Sequence, residues 1–323
     1  MTKAIRIHAT GGPGVLLWED TPKPEPAPHE AVVHQAAVGL NFIDVYFRNG
    51  TYKTPLPATL GLEAAGTVTA VGEEVAGIAV GDRVAYATGP LGAYATDRAI
   101  AADRLLRLPD GIAFDTAAAM LLQGLTAQYL IHRTHVLQAG ETVLVHAAAG
   151  GVGLILCQWA SHLGARVIGV VSSAAKAELA RAHGAAEVIV GYHDLADNVR
   201  RLTDGALVPV VYDSIGRDTF SASLDCLAPL GTMVSYGSAS GVVPPVDIGQ
   251  LASKGSLFLT RPTLATYTAS RPDLVAAAAS LFEAVESGIV RIRVGQSFAL
   301  RDAAAAHAAL EARQTTGSTV LLP

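Results

Sequence analysis

Cysteine is nearly absent: Cys157 and Cys226 are the only two in 323 residues, with no C-x-x-C spacing. That excludes a disulfide framework and any four-cysteine metal lobe, and fits a reduced compartment. Charge is equally sparse. Charged side chains make up 16% of the chain, the net charge is −5, and no basic cluster is longer than Arg200-Arg201. A phosphate-backbone footprint is therefore missing, and nucleic acid is not expected as a partner. Long apolar runs are lacking too. The most apolar stretch, Thr116 to Ile131, is interrupted by Gln123, Gly124 and Gln128, and is too short to span a bilayer. The N-terminus enters a strand-like pattern directly from Met1-Thr2-Lys3, without the apolar region of a signal peptide. A cytoplasmic protein with no membrane partner is expected.

What the chain does contain is apolar residues, at 50%, and 32 glycines. At this length that is an ordinary α/β composition with room for two domains. The first third reads as a β meander: Glu30 to Val38, Ala64 to Val71 and Arg83 to Ala87 are separated by Gly and Pro signals. From Asp115, placed as an N-cap, helical spacing runs to His132. Strand–helix units follow: Val143–Val145 with Val152–Leu163, Arg166–Val171 with Ala175–His183, and Val188–Val190 with Leu195–Leu202. Further segments lie at Val208–Tyr212, Phe220–Leu227, Gly231–Tyr236 and Leu257–Thr260. This alternation predicts a doubly wound parallel sheet. Two Ala-rich helices and a final strand, Ser318–Leu322, close the chain. The expected division is a dinucleotide-binding domain over 122–261 inserted into a β-rich domain made of 1–121 and 262–323.

The run His146-Ala147-Ala148-Ala149-Gly150-Gly151-Val152-Gly153 joins one such strand to its helix. A strand, a tight glycine turn and a helix N-terminus form the arrangement that holds a dinucleotide pyrophosphate, although alanine stands where the first glycine of G-x-G-x-x-G is expected. The next strand ends Val171-Ser172-Ser173-Ala174-Ala175-Lys176. No carboxylate is present there to bind a ribose 2′-hydroxyl, while two hydroxyls and a lysine can bind a 2′-phosphate. The cofactor expected is NADPH. The ordinary alternative for Lys176 is a solvated charge in a first helical turn.

Zinc alcohol dehydrogenases share this domain order, but they carry Gly-His-Glu where this chain has Gly61-Leu62-Glu63, and Leu cannot ligate. Gly39-Leu40-Asn41 offers no cysteine at the other ligand position. No metal is expected. Several motifs now align in order: Gly11-Gly12-Pro13, Gly39 to Asp44, Gly61 to Gly66, Gly81-Asp82-Arg83-Val84, His146 to Gly153, Val211 to Gly216, and Thr260-Arg261-Pro262. Through them the whole chain resembles the zinc-independent, zeta-crystallin-like quinone oxidoreductases of the medium-chain dehydrogenase/reductase superfamily. The resemblance implies a GroES-like catalytic domain plus a Rossmann domain, and NADPH as cofactor. It implies that Phe42, Ile43, Asp44, Val45 and Tyr46 line the nicotinamide cleft with Asn41 at its edge, and that Tyr129 contacts the cofactor. Gly150, Gly151 and Val152 would meet the pyrophosphate, and Ser172, Ser173 and Lys176 the 2′-phosphate. Tyr192, Ser214, Tyr236, Gly237 and Ser238 would follow the adenine and ribose. Arg261 and Arg313 would reach in from the return segment.

The implied reaction is NADPH-dependent quinone reduction, by hydride or net one-electron transfer. Tyr46, Tyr52 and Asn41 are candidates for contact with the quinone oxygen, because a phenol or an amide can donate without carrying charge. Tyr46 and Tyr52 could equally form an apolar wall beside Gly50. Two other functions fit the same scaffold: an enone or alkenal double-bond reductase, and an NADPH-binding structural or RNA-binding protein. The resemblance also implies a homodimer, or a tetramer, that pairs edge strands of the nucleotide domain, with Ser256–Thr260 as that edge.

Overall fold

The computed structural model describes all of residues 1–323. The N-terminal part contains β1 (Thr2–Ile7), β2 (Leu17–Thr21), β3 (Glu30–Leu40), α1 (Phe42–Arg48), β4 (Ala58–Thr59), β5 (Glu63–Val71), β6 (Arg83–Tyr86), β7 (Asp97–Ala101) and β8 (Leu106–Arg107). Helix α2 (Phe114–Tyr129) leads into β9 (Thr142–His146), α3 (Gly151–His162), β10 (Arg166–Val171), α4 (Ala174–Ala182), β11 (Ala185–Val190) and α5 (Leu195–Leu202). Then come β12 (Val208–Asp213), α6 (Phe220–Asp225), β13 (Leu227–Ser235), α7 (Gly249–Ser253), β14 (Phe258–Thr260) and α8 (Leu264–Tyr267). The chain ends with α9 (Arg271–Glu286), β15 (Val294–Ala299), α10 (Ala303–Glu311) and β16 (Ser318–Leu322).

These elements form two compact units. One holds residues 1–125, 268–286 and 292–323; the other holds 126–267 and 287–291. In the first, a mostly antiparallel sheet runs β15-β16-β3-β5-β6-β8, with β7 also paired to β3, beside a small sheet β2-β1-β4. Alternation along β3 sends Val33 into a core with Ile5, Leu40, Val84, Tyr86 and Leu105, while His34 stays exposed. The second unit is a six-stranded parallel sheet in the order β11-β10-β9-β12-β13-β14. Its inner strands are apolar on both faces, as helix-covered parallel strands must be, and bury Leu144, Ile168, Val170, Val211 and Met233.

Three details differ from the sequence expectation. Asp115 is not an N-cap: α2 starts at Phe114, and Asp115 sits in its first turn, accepting from the Thr116 N–H at 2.6 Å. A carboxylate there is favoured by the positive end of the helix as well as it would be at the cap. The α-helix does not continue to His132, because Leu130–Thr134 widens into a π turn. Strand β15 has no counterpart in the sequence pattern, since Val294-Gly295-Gln296-Ser297 carries little apolar signal.

Candidate functional site

In the parallel-sheet unit the expected cofactor residues follow the carboxyl ends of successive strands. The glycine turn follows β9, Ser172 and Ser173 follow β10, and Tyr192 follows β11. Ser214 follows β12, Tyr236 to Ser238 follow β13, and Arg261 follows β14. Ligands of open α/β sheets bind outside these ends.

The turn itself is built around close backbone approach. Ala147 takes the left-handed φ of 49° that the glycine-first motif would give to glycine. A Cβ on Gly153 would lie 2.2 Å from the Ala147 carbonyl oxygen, so only glycine lets α3 start against the turn. Gly150 occupies the N-cap of α3 and supplies no side-chain cap. The first N–H groups of the helix, on Gly151, Val152 and Gly153, thus have no intrahelical acceptor, and an anion suits them. At the end of β10, Ser172 and Ser173 are exposed, and Ser173 Oγ accepts from the Lys176 N–H at 3.4 Å as the N-cap of α4.

Asp213, fully buried at the end of β12, organises the neighbouring walls. Its Oδ1 accepts from the Ile215 and Gly216 N–H groups at 2.7 and 3.1 Å, and its Oδ2 from Thr219 Oγ1 at 2.7 Å and Ser223 Oγ at 2.9 Å. Ser223 in turn meets His146 Nε2 at 2.9 Å. Burial holds the His146 imidazole below its ordinary pKa, and the nearby Asp213 opposes that shift. The half-buried Tyr192 ring lies 6.0 Å from that imidazole. The Ser214 turn packs against Gly237, where a Cβ would be 2.5 Å from the Ser214 oxygen. Arg261 donates to the Ser235 carbonyl at 2.8 Å. Tyr129 is 3% exposed and stacks on Tyr267 with centroids 4.3 Å apart. Burial pushes its phenol well above the ordinary range, with Tyr236 and Arg261 close enough to act on it. Tyr267 is fixed by Thr134 Oγ1, 3.0 Å from its hydroxyl, and by the Arg133 guanidinium 5.1 Å from its ring centroid.

In the β-rich unit, Asn41 is the N-cap of α1 and the helix sorts the following residues by face. Phe42 and Ile43 are half-buried, whereas Asp44 and Val45 point into the unit. Asp44 and Val45 were expected with Phe42 to line the cofactor cleft, but their side chains serve the fold. Asp44 Oδ2 accepts from the Asn41 N–H at 2.9 Å and from the Tyr94 hydroxyl at 3.0 Å. Desolvation raises its carboxyl to about 7, against the pull of both bonds. Tyr46 and Tyr52 meet edge to face at 5.2 Å, flanked by Phe42, 5.5 Å from Tyr46, and by Phe47, 5.5 Å from Tyr52. Arg313 is exposed with a φ of 59° just after α10.

Sequence reasoning missed Glu63 and Gln123. Asn41 Nδ2 donates to Glu63 Oε2 at 2.6 Å, and Gln123 Nε2 donates to Asn41 Oδ1 at 3.2 Å. Burial raises the Glu63 carboxyl to about 8; the Asn41 and Leu122 donors pull it down, and Asp44 adds to the rise. Their signals were a lone acid opening an apolar strand and a lone amide inside the apolar run of α2. No group of three or more His, Cys, Asp or Glu side chains is placed to hold a metal ion.

Residues 27–140 match the alcohol dehydrogenase GroES-like domain, and residues 151–282 match the family named zinc-binding dehydrogenase. A quinone oxidoreductase of Pseudomonas aeruginosa is 56% identical, with all of both chains covered. The chain belongs to the quinone oxidoreductases of the medium-chain dehydrogenase/reductase superfamily. Within that family, a crystal structure of the Escherichia coli quinone oxidoreductase complexed with NADPH superposes with a TM-score of 0.98 at 47% identity, covering 99% of this chain and all of the other. A 2-haloacrylate reductase of Burkholderia is 45% identical, covering 100% of this chain and 99% of its own.

Proposed function

We propose that this protein is an NADPH:quinone oxidoreductase that works without a metal. The observation that carries the reading is the row of residues at the carboxyl ends of the parallel strands, with an uncapped helix N-terminus after β9 and no acid after β10. A pyrophosphate fits the N–H groups of Gly151 and Val152 beside Gly150. The 2′-phosphate fits Ser172, Ser173 and Lys176. Tyr192, Ser214, Tyr236, Gly237 and Ser238 are assigned to the adenosine half, and Tyr129, Arg261 and Arg313 to the rest of the cofactor.

Bound NADPH supplies a hydride from its nicotinamide. The protein must orient the acceptor within about 3.5 Å, exclude water and stabilise charge on the quinone oxygen. Phe42 and Ile43 provide an apolar flank, and Tyr46, Tyr52 and Asn41 provide neutral donors to that oxygen. The cluster of Phe42, Tyr46, Phe47 and Tyr52, its rings tilted or edge to face, offers aromatic contacts that suit a flat conjugated ring better than a short alkenal. NADPH oxidation by purified protein should therefore be faster with menadione than with 2-alkenals or 2-haloacrylates. Faster turnover of the alkenes would overturn the choice of substrate.

Lys176→Ala should raise the Kd for NADPH about tenfold, the worth of one charge-assisted hydrogen bond, and change the Kd for NADH less than twofold. Fluorescence titration of both cofactors checks this, and equal losses would mean that Lys176 is only a surface charge.

The cytoplasm is the proposed location: both cysteines are buried free thiols, and no helix is long and apolar enough to cross a membrane. We also assign a homodimer paired through β14. This strand is the sheet edge, with Phe258 60% exposed and Leu259 38% exposed, and an open apolar edge invites a partner strand. Sedimentation that finds only monomer at micromolar protein would overturn this.

A further inference from the structure

Asn41 sits in a one-way chain of hydrogen bonds. Ser318 Oγ donates to Gln123 Oε1 at 2.6 Å, Gln123 Nε2 donates to Asn41 Oδ1 at 3.2 Å, and Asn41 Nδ2 donates to Glu63 Oε2 at 2.6 Å. The chain ends on a carboxyl whose other oxygen accepts from the Leu122 N–H at 2.8 Å. All four side chains are buried. The sheet is shaped around this terminus: a Cβ on Gly39 would stand 2.3 Å from Glu63 Oε2 and 2.3 Å from the Ala118 carbonyl oxygen.

The direction of such a chain is set at its ends. A backbone N–H can only donate, so Glu63 Oε1 must accept from Leu122. Once ionised, above the value of about 8 to which burial raises it, the Glu63 carboxyl accepts at both oxygens, so Oε2 then requires a donor and Asn41 must present its nitrogen there. Asn41 Oδ1 is then directed to Gln123. An amide nitrogen carries two hydrogens, and only one is used by Glu63. The second gives Asn41 an N–H of fixed orientation.

We propose that Glu63 is a positioning residue for quinone reduction: by accepting from Asn41 it holds the Asn41 amide with an N–H, rather than its carbonyl, toward the quinone oxygen. This rests on the reading that Asn41 contacts the quinone. Glu63 itself touches no substrate. Its contribution is preorganisation, since a donor already aimed at the developing oxyanion needs no reorientation when charge appears.

Glu63→Gln is the informative substitution because it removes no hydrogen bond from the chain and reverses every one. The Leu122 N–H captures the new amide oxygen, so the Gln nitrogen faces Asn41. Asn41 must then turn its oxygen to it and its nitrogen to Gln123. Gln123 turns likewise, and the Ser318 hydroxyl rotates to accept. Asn41 now offers the quinone a lone pair instead of a hydrogen.

The test is a double-mutant cycle of wild type, Glu63→Gln, Asn41→Ala and the double variant. Turnover of menadione is followed at about pH 9, above the value to which burial raises the Glu63 carboxyl, so that the carboxylate is ionised. Glu63→Gln and Asn41→Ala should each lower kcat/KM about a hundredfold, the usual effect of losing one oxyanion donor, with the Kd for NADPH unchanged. In the Asn41→Ala background, Glu63→Gln should have no further effect. Additive losses would mean that Glu63 acts on the fold, and would overturn the proposal. So would normal turnover in Glu63→Gln beside a defective Asn41→Ala, which would leave the Asn41 contact standing. Normal turnover in Asn41→Ala would remove the contact itself, and the proposal with it. If Glu63→Gln does not fold, Gln123→Leu enters the chain from the other side. It should lower kcat/KM several-fold, and only where Asn41 is present.

Discussion

Gly153→Ala is expected to lower thermal stability by about 3 kcal/mol and to raise the Kd for NADPH more than tenfold. The added methyl would begin 2.2 Å from the Ala147 carbonyl oxygen, 2.9 Å from its carbon and 2.8 Å from the Ala148 Cα. All three are backbone atoms, so no side chain can rotate away. Either α3 moves off the sheet or the turn opens, and both displace the N–H groups assigned to the pyrophosphate. Gly150→Ala is the control. Its backbone lies at a φ of −85°, open to any residue, and its nearest neighbour would be 3.2 Å away. The Ala147 oxygen there need give by only a few tenths of an ångström, so that variant should lose no more than about 1 kcal/mol. A thermal melt and a cofactor titration of the two proteins decide the matter. Equal behaviour would mean that the turn is not held by close packing.

That turn was legible in the sequence because everything it needs is local: an apolar strand, consecutive small residues and an apolar helix within about twenty positions. The parallel strands were legible for the same reason, since burial on both faces leaves a continuous apolar run. The short helix α1 was not. Phe42-Ile43-Asp44-Val45-Tyr46-Phe47 is aromatic and β-branched, with poor helix propensity, and reads as a wall of a cleft. Its helix is fixed by Asp44 accepting from the Asn41 N–H and by the packing of Val45 and Arg48 into the unit. Because the segment coils, Asp44 and Val45 turn inward while Phe42, Ile43 and Phe47 remain partly open.

The polar networks were the least legible part. Glu63 and Gln123 lie sixty positions apart, and Gln123 and Ser318 nearly two hundred. No spacing rule connects them. Only the oddity of a charge or an amide in an apolar stretch marks such residues in advance. Tyr267 is similar, because its role comes from the stack on Tyr129 and from the π turn that clamps it.

Asp213 shows how large the energetic weight of such a residue can be. Asp213→Ala is expected to cost about 3–5 kcal/mol, which for a chain of this size is a large part of its stability. The buried Ile215 and Gly216 N–H groups would lose their acceptor, while the Thr219 hydroxyl keeps only the Gly216 carbonyl at 3.3 Å and the Ser223 hydroxyl only His146 Nε2. An orphaned buried donor retains its full desolvation cost. Release of the Ser214 turn and of the Ser223 bridge to His146 would loosen two of the strand ends assigned to NADPH, so cofactor affinity should fall together with the melting temperature. Asp213→Asn should cost less, about 1–2 kcal/mol. Its oxygen still accepts from both backbone N–H groups, and the two hydroxyls can rotate to accept from its nitrogen. Ser223 would then have to donate to His146 Nε2, moving the imidazole proton to Nδ1, a buried atom with no partner. Melting curves of the two variants check the order. A Thr219→Ala, Asp213→Ala cycle tests the mechanism: the Thr219 substitution should cost clearly less once Asp213 is gone, leaving only its buried methyl and its bond to the Gly216 carbonyl, and a full independent loss would show that Asp213 is not the centre of the network.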